Sequence, residues 1–266
     1  MYKPFVAEFL GTFMLVMFGI GSVSAVVLIG ALTGLWEIAI VWGFGISLAI
    51  YATASVSGAH LNPALSLTMA IWHNRTGFTF TRAAGYIIAQ VLGGIAAGCV
   101  NLSIYEPFIT DYESRTGIIR GEAGSERSAM DGALAGTLLG PTHALFVEAF
   151  GAGVLAFMAF ALTDPGNRAI PRKELAPCFI GLTAASLIAL LSPITQASFN
   201  PARDLGPRIV AALAGWGSIA MPGARSGFWV YIVGPCIGAP IGATVYLLLL
   251  EKRREMPSLE DGEPTR

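Results

Sequence analysis

Long apolar runs separated by short polar stretches dominate the chain. The first extends from about Pro4 to Leu28 and carries a single carboxylate, Glu8. After a short loop through Gly34 and Leu35, further runs cover about Ile38 to Ala54, Arg82 to Ile104, His143 to Leu162, Leu175 to Leu191 and Phe228 to Leu250. Each suits one membrane-crossing helix, which needs about 17–25 residues. Two apolar stretches break this rule. Ser55 to Trp72 and residues 193–213 are too short and too interrupted to cross alone, and each holds an Asn-Pro-Ala triplet: Asn62-Pro63-Ala64 and Asn200-Pro201-Ala202. Asn at the N-cap with Pro at the first helical position is a favourable helix start. The pattern therefore predicts two half-helices that begin at membrane depth with their positive dipole ends open. Irregular backbone is tolerated there only where it is buried or lines a watery cavity, which points to a pore.

The chain also repeats. Ala7-Glu8-Phe9-Leu10-Gly11-Thr12 matches Val147-Glu148-Ala149-Phe150-Gly151-Ala152, and a triplet follows each. Three spans per half force the halves into opposite orientations, the inverted-repeat plan with a site where discontinuous helices meet. The expected fold is an all-α membrane protein of six transmembrane helices plus two re-entrant half-helices. Residues 1–140 form the first half with its half-helix and one long polar outer loop, 105–140, holding Glu106, Asp111, Glu113, Glu122, Glu126 and Asp131. Residues 141–250 form the second half, and 251–266 a charged, disordered cytoplasmic tail. With both termini inside, the inner side carries Lys3, Arg75, Arg82, Arg168, Arg172, Lys173, Lys252, Arg253, Arg254 and Arg266. The outer side carries only Arg115, Arg120, Arg127 and Arg225. That bias places the termini in the cytoplasm.

Composition sharpens this picture. Of 266 residues, 54% are hydrophobic and 12% charged, whereas a soluble domain is about one-quarter charged. Mean hydropathy is +0.65. The first run is too long for a signal-peptide core and carries Glu8, so it reads as a retained span. A net charge of −1 gives no sign of nucleic-acid binding. Cys99, Cys178 and Cys236 lie in apolar runs without metal-ligand spacing, which argues against a disulfide framework, a metal site or a cofactor. No Gly-rich phosphate loop and no Ser-His-Asp arrangement is present, so neither ATP-driven transport nor an enzyme is expected.

Some polar residues remain where they are costly. Arg203 directly follows the second triplet and reads either as a pore cation or as half of a buried ion pair. Glu8 and Glu148 read as acceptors for the re-entrant backbone of their own halves, because an intramembrane carboxylate needs donors. Asn62 and Asn200 each offer amide N–H groups to a passing molecule. His60 reads as structural, with gating on protonation as the alternative.

Gly58-Ala59-His60-Leu61-Asn62-Pro63-Ala64 and Phe199-Asn200-Pro201-Ala202-Arg203-Asp204, one in each half, resemble the aquaporin and glycerol-facilitator family, the major intrinsic proteins. The resemblance covers about residues 4–250 and implies an aquaporin-like fold, half-helices meeting head to head, and a homotetramer with one pore per chain. It implies that Asn62 and Asn200 are the pore's amide donors. Gly58, Ala59, His60 and Leu61, with Ala197, Ser198 and Phe199, would line it with backbone carbonyls. The four filter positions fall on Trp42, Ile188, Ala197 and Arg203. Water-selective members have Phe and His at the first two, and both are missing here. Glycerol facilitators have Gly where Ile188 falls and a second aromatic where Ala197 falls, so the chain departs from them too. Trp42 and Ile188 give an apolar wall opposite Arg203, suited to the carbon edge of a polyol. Asp204 and Arg208 follow the glycerol-channel pattern, whereas Tyr231-Ile232 matches neither. The implied function is passive permeation of glycerol and similar small uncharged solutes with water, excluding protons and ions. The alternative is a water-selective channel. The implied location is a multi-pass protein of a prokaryotic inner membrane bilayer.

Overall fold

The computed structural model describes residues 2–31, 33–129, 140–169, 172–223 and 226–251. Among them, six helices are long and apolar enough to cross a membrane. They are α1 (Lys3–Ser24), α2 (Leu35–Ser57), α5 (Phe80–Thr116), α6 (Pro141–Thr163), α7 (Ala176–Thr195) and α9 (Val230–Leu249). Between them lie two half-helices, α3 (Pro63–Ile71) and α8 (Pro201–Ala211), and the single turn α4 (His73–Thr76). Large apolar side chains such as Phe146, Leu190 and Leu213 stay exposed on the outside, as lipid-facing surface requires.

Helix neighbours pair off symmetrically. In the first half α1 packs on α2 and α5, and in the second α6 packs on α7 and α9. Each half-helix crosses into the other half: α8 lies against α5, and α3 against α9. The α2–α7 contact maps onto itself. This exchange of equivalent partners is the inverted repeat expressed in packing. The chain is an integral, multi-pass membrane protein.

Lipid tails are as apolar as the side chains facing them, so close backbone approach and dispersion hold the helices together. Small residues make that approach possible. A Cβ on Gly242 of α9 would lie 1.8 Å from the carbonyl oxygen of Gly153 on α6, and Gly238 meets Ala149 in the same way. Gly206 of α8 likewise rests on the backbone of Gly94 in α5.

The largest departure from the sequence expectation lies outside the bilayer. Residues after Ile104 were expected to begin a polar loop, yet α5 continues to Thr116. Polarity alone does not end a helix. Tyr105, Phe108, Ile109 and Tyr112 recur at helical spacing, and Asp111 pairs with Arg115 one turn on. The helix stops at Gly117, in the left-handed region at φ +68. The following segment folds back. Arg120 stacks over the buried Trp216 ring at 4.2 Å and bonds Glu113, while Trp216 Nε1 donates to Ser128 Oγ. Burial works against the charge on Arg120, but hydrogen bonds and charges from Glu113 and Glu106 outweigh it and raise its pKa. The rest of the expected loop, 130–139 with Asp131, lies outside the described residues, as do Arg225 and the tail 252–266.

The α6–α9 contact yields a direct test. Gly242→Val inserts three carbons where not even one fits, and overpacking of this kind costs about 1–3 kcal/mol or more. Melting of the purified protein in detergent is expected to fall well below wild type, while Val at the exposed position of Leu248 leaves it unchanged.

Candidate functional site

Both half-helices begin as their triplets require. Asn62 is the N-cap of α3, its side-chain oxygen accepting from Ala64 N at 2.8 Å. Asn200 caps α8, accepting from Ala202 N at 3.0 Å and Arg203 N at 3.2 Å. Pro63 and Pro201 take the first helical positions. The two caps are also bonded across the molecule. Asn62 Nδ2 donates to the Phe199 carbonyl at 2.9 Å, and Asn200 Nδ2 donates to the Leu61 carbonyl at 2.8 Å. An amide nitrogen carries two hydrogens, so each Asn keeps one N–H for a third partner.

The backbone before each Asn follows the same path. Gly58, Ala59 and Leu61 have φ of +87, +50 and +51, and Gln196, Ala197 and Phe199 have φ of +71, +49 and +52. His60 and Ser198 interrupt both series. A left-handed conformation costs a non-glycine residue roughly 1–2 kcal/mol. Two buried carboxylates hold it in place. Glu8 accepts from His60 N at 3.0 Å and Leu61 N at 2.7 Å, and is fixed by Gln90 Nε2 at 2.7 Å. Glu148 accepts from Ser198 N at 3.1 Å, Phe199 N at 2.8 Å and the Thr195 hydroxyl at 2.6 Å. Both carboxylates are fully buried. Hydrogen bonds to a charged acceptor are worth about 1.5–3 kcal/mol each, enough to offset the strain.

This arrangement fixes which way the carbonyls face. In a trans peptide the C=O points opposite the N–H. With the N–H groups of His60 and Leu61 turned to Glu8, the carbonyls of Ala59 and His60 turn away from it. Glu148 does the same to those of Ala197 and Ser198. They turn toward a cavity of about 560 Å³ that runs from Trp42 and Arg203 to Arg75, Asp164, Lys173 and Glu251. Every residue named from the sequence as pore lining or filter borders this one cavity, including Ile188 and Ala197 on the α7 side. The His60 ring points elsewhere, packing edge-on against Phe78 and Tyr86 with Nδ1 3.2 Å from Ser66 Oγ. Arg203 has no ion-pair partner among the described residues. Its guanidinium lies over the Trp42 ring at 4.5 Å and reaches the Gln196 carbonyl at 3.5 Å.

Asp204 and Arg208 do not border the cavity. They form a buried bidentate pair, Nε to Oδ2 at 2.6 Å, beneath which the Tyr231 ring stacks at 5.1 Å. Tyr231 hydroxyl in turn donates to the Thr195 carbonyl. At the opposite end of the cavity from Trp42 and Arg203, Arg75 pairs with Glu251, and Tyr246 donates to Asp164.

Sequence reasoning missed the glycines that seat these groups. A Cβ on Gly19 would lie 2.1 Å from the Trp42 indole, and one on Gly151 would lie 2.1 Å from the Phe199 ring. Gly11 makes room for Leu61 in the same way. The signal was present: Gly11 and Gly151 each follow the repeated Glu by three residues, which sets Glu and Gly on one helix face.

Comparison with known proteins agrees with this geometry. The family described as Major intrinsic protein matches residues 1–246. The chain is 42% identical over 250 residues to the propanediol uptake facilitator PduF of Citrobacter freundii, covering 93% of this chain and 91% of that one. It is 42% identical over 254 residues to the glycerol uptake facilitator protein of Escherichia coli strain K12, covering 92% and 87%. The X-ray structure of the aquaglyceroporin from Plasmodium falciparum superposes with a TM-score of 0.77 at 24% identity, over 93% of this chain and 96% of that one. At that identity the likeness speaks for the fold.

The carboxylate support is directly testable. Glu148→Ala strands two backbone N–H groups and the Thr195 hydroxyl, each at about 1–3 kcal/mol. Melting in detergent is expected to rank wild type above Glu148→Gln above Glu148→Ala. A Glu148→Ala protein that melts with wild type would refute the support role.

Proposed function

We infer, from the chain's membership of the major intrinsic protein family, that it is a passive transmembrane channel for glycerol and other small uncharged solutes with water, not an enzyme. The observation that carries the reading is the single cavity in which the two reciprocally bonded Asn caps, the turned carbonyls and the Trp42–Arg203 pair all meet. The relatives named for glycerol and propanediol uptake support the solute class.

The mechanism follows from the geometry. A polyol passing beside the stacked Trp42–Arg203 pair lays its carbon edge on the indole edge and Ile188 and its hydroxyls on the guanidinium and the carbonyls of Ala197 and Ser198. Ala197 leaves room beside Ile188 for a chain carrying carbon substituents. At the centre the free N–H of Asn62 and of Asn200 donate to a hydroxyl or water oxygen, while the carbonyls of Ala59 and His60 accept beyond. Each donor or acceptor replaces one lost from water, so the solute moves among near-equal sites. The opposed positive ends of α3 and α8 raise the central potential and turn each water's oxygen inward, which breaks a chain of donated protons. Arg203 adds a fixed cation that repels hydronium and metal ions. A water-selective pore lacks support: the filter has no His, and its wall is Trp42 and Ile188.

Assembly and placement complete the proposal: a homotetramer with one pore per chain, both termini in the cytoplasm, in a prokaryotic inner membrane. The bias of Lys and Arg toward the inner loops supports the orientation, and the bacterial relatives support the location.

Stopped-flow light scattering on proteoliposomes tests the function. Glycerol re-swelling is expected to be fast with a low activation energy. Fast shrinkage by water loss without glycerol entry would mark a water-selective pore instead. In the same vesicles Gly19→Ala, whose Cβ would displace the Trp42 ring from its seat beside Arg203, is expected to change glycerol flux about tenfold and water flux much less. Arg203→Val is expected to raise proton conductance, measured with an internal pH dye; no rise would sink the filter assignment.

A further inference from the structure

A second cavity, of about 770 Å³, lies apart from the pore at the end of the molecule where the chain begins. The first turn of α1 contributes Lys3, Pro4 and Phe5, the last turn of α2 contributes Ser55 and Val56, and the start of α5 contributes Thr79, Thr81 and Arg82. Its lining thus holds two cations, three hydroxyls and no carboxylate. Neither Lys3 nor Arg82 has an ion-pair partner among the described residues. Arg82 is nonetheless held in place, stacked over Phe78 and Tyr86 at 5.5 Å and donating to the Tyr86 hydroxyl at 3.3 Å. Two helix starts add to the positive field; in the first turn of α5 Arg82 N is capped by Thr79 Oγ1 at 3.3 Å, while the N–H groups of Phe80 and Thr81 have no partner within that helix. The C-terminal end of α2, which brings Ser55 and Val56, opposes this field with its last carbonyls, of which that of Ser57 is taken by the Tyr86 hydroxyl at 2.8 Å.

The surroundings say what kind of molecule fits. Val56 and Phe80, beside the cations, are 45% and 57% exposed and belong to the lipid-facing surface. A polar, cationic hollow bordered by exposed apolar side chains matches an amphiphile with an anionic head, and basic hollows between transmembrane helices on the cytoplasmic side suit anionic lipid headgroups. We propose that Lys3, Arg82, Thr79, Thr81 and Ser55 bind the headgroup phosphate of an anionic phospholipid, with an acyl chain running down over Val56. The leaflet, the inner one, rests on the cytoplasmic placement of the termini given above. The binding itself depends on neither the permeating solute nor that placement.

Native mass spectrometry of the purified full-length protein in detergent tests this, with phosphatidylglycerol and phosphatidylcholine added in equal amounts. Wild type is expected to retain phosphatidylglycerol preferentially. The double variant Lys3→Gln/Arg82→Gln is expected to retain about tenfold less or lower, since each cation near a lipid surface contributes appreciably. Thr81→Asp is an independent arm. A carboxylate in the first turn favours the helix start, so the fold is kept, but it repels a phosphate. It is expected to abolish the preference while glycerol flux in proteoliposomes stays at the wild-type level. Equal retention of the two lipids by wild type, or unchanged retention in both variants, overturns the proposal. So does displacement of the lipid by an equal concentration of glycerol 3-phosphate, which would make a soluble phosphate the occupant.

Discussion

Everything in this molecule depends on how a broken backbone is satisfied at membrane depth. An unbonded peptide group costs several kcal/mol in hydrocarbon, and the chain interrupts a span-length segment twice. Glu8 and Glu148 answer for one side of the break: each takes the two N–H groups preceding its Asn. The Asn amides answer for the other, each capping its own half-helix with oxygen and the opposite loop with nitrogen. Left open are a row of carbonyls and one amide N–H on each Asn side chain, and these are groups a permeating hydroxyl can use. The pore chemistry is the part of the backbone requirement that the protein leaves open.

The cross-bonds also explain why the halves cannot move apart independently. Leu61 and Phe199, whose carbonyls accept them, are both left-handed and both seated against a glycine of the first helix in their own half. Displacing either loop would break a cross-bond, a carboxylate bond and a close packing contact together. A static, preformed path suits a passive channel, where near-equal sites must persist while molecules pass. The Asp204–Arg208 pair works toward the same end from behind, tying α8 to Tyr231, whose hydroxyl binds the end of α7.

The fold was legible because its signals are long-range in sequence and redundant. Apolar run lengths gave the spans, the repeated Glu segment gave the symmetry, and Asn-Pro placed both half-helix starts at Pro63 and Pro201. Side chains that serve backbone, such as Glu8 and Glu148, were legible because a buried charge demands a donor. Two kinds of feature were not. The extension of α5 to Thr116 was hidden because polar composition masked the period, although Tyr105, Phe108, Ile109 and Tyr112 mark one helix face. The seats at Gly11, Gly19 and Gly151 were hidden because a missing side chain carries no chemistry of its own. Only the packing of Leu61, Trp42 and Phe199 against them gives it meaning.

Symmetry accounts for the paired half-helices, and departures from it make the two ends of the cavity chemically different. The position three residues after the capping Asn is Leu65 in α3 and Arg203 in α8, and both side chains border the cavity. The same backbone therefore presents an alkyl group toward one end and a guanidinium toward the other. Trp42 on α2 lies at the Arg203 end, and by the same two-fold its opposite number on α7 lies toward Leu65. The stack of the Arg203 guanidinium on the Trp42 indole thus lies at one end. Beyond that pair the cavity offers the repeating carbonyls, the two Asn donors and, at its far end, Arg75, Asp164, Lys173 and Glu251. An inverted repeat can in this way carry different chemistry at its two ends on one shared backbone.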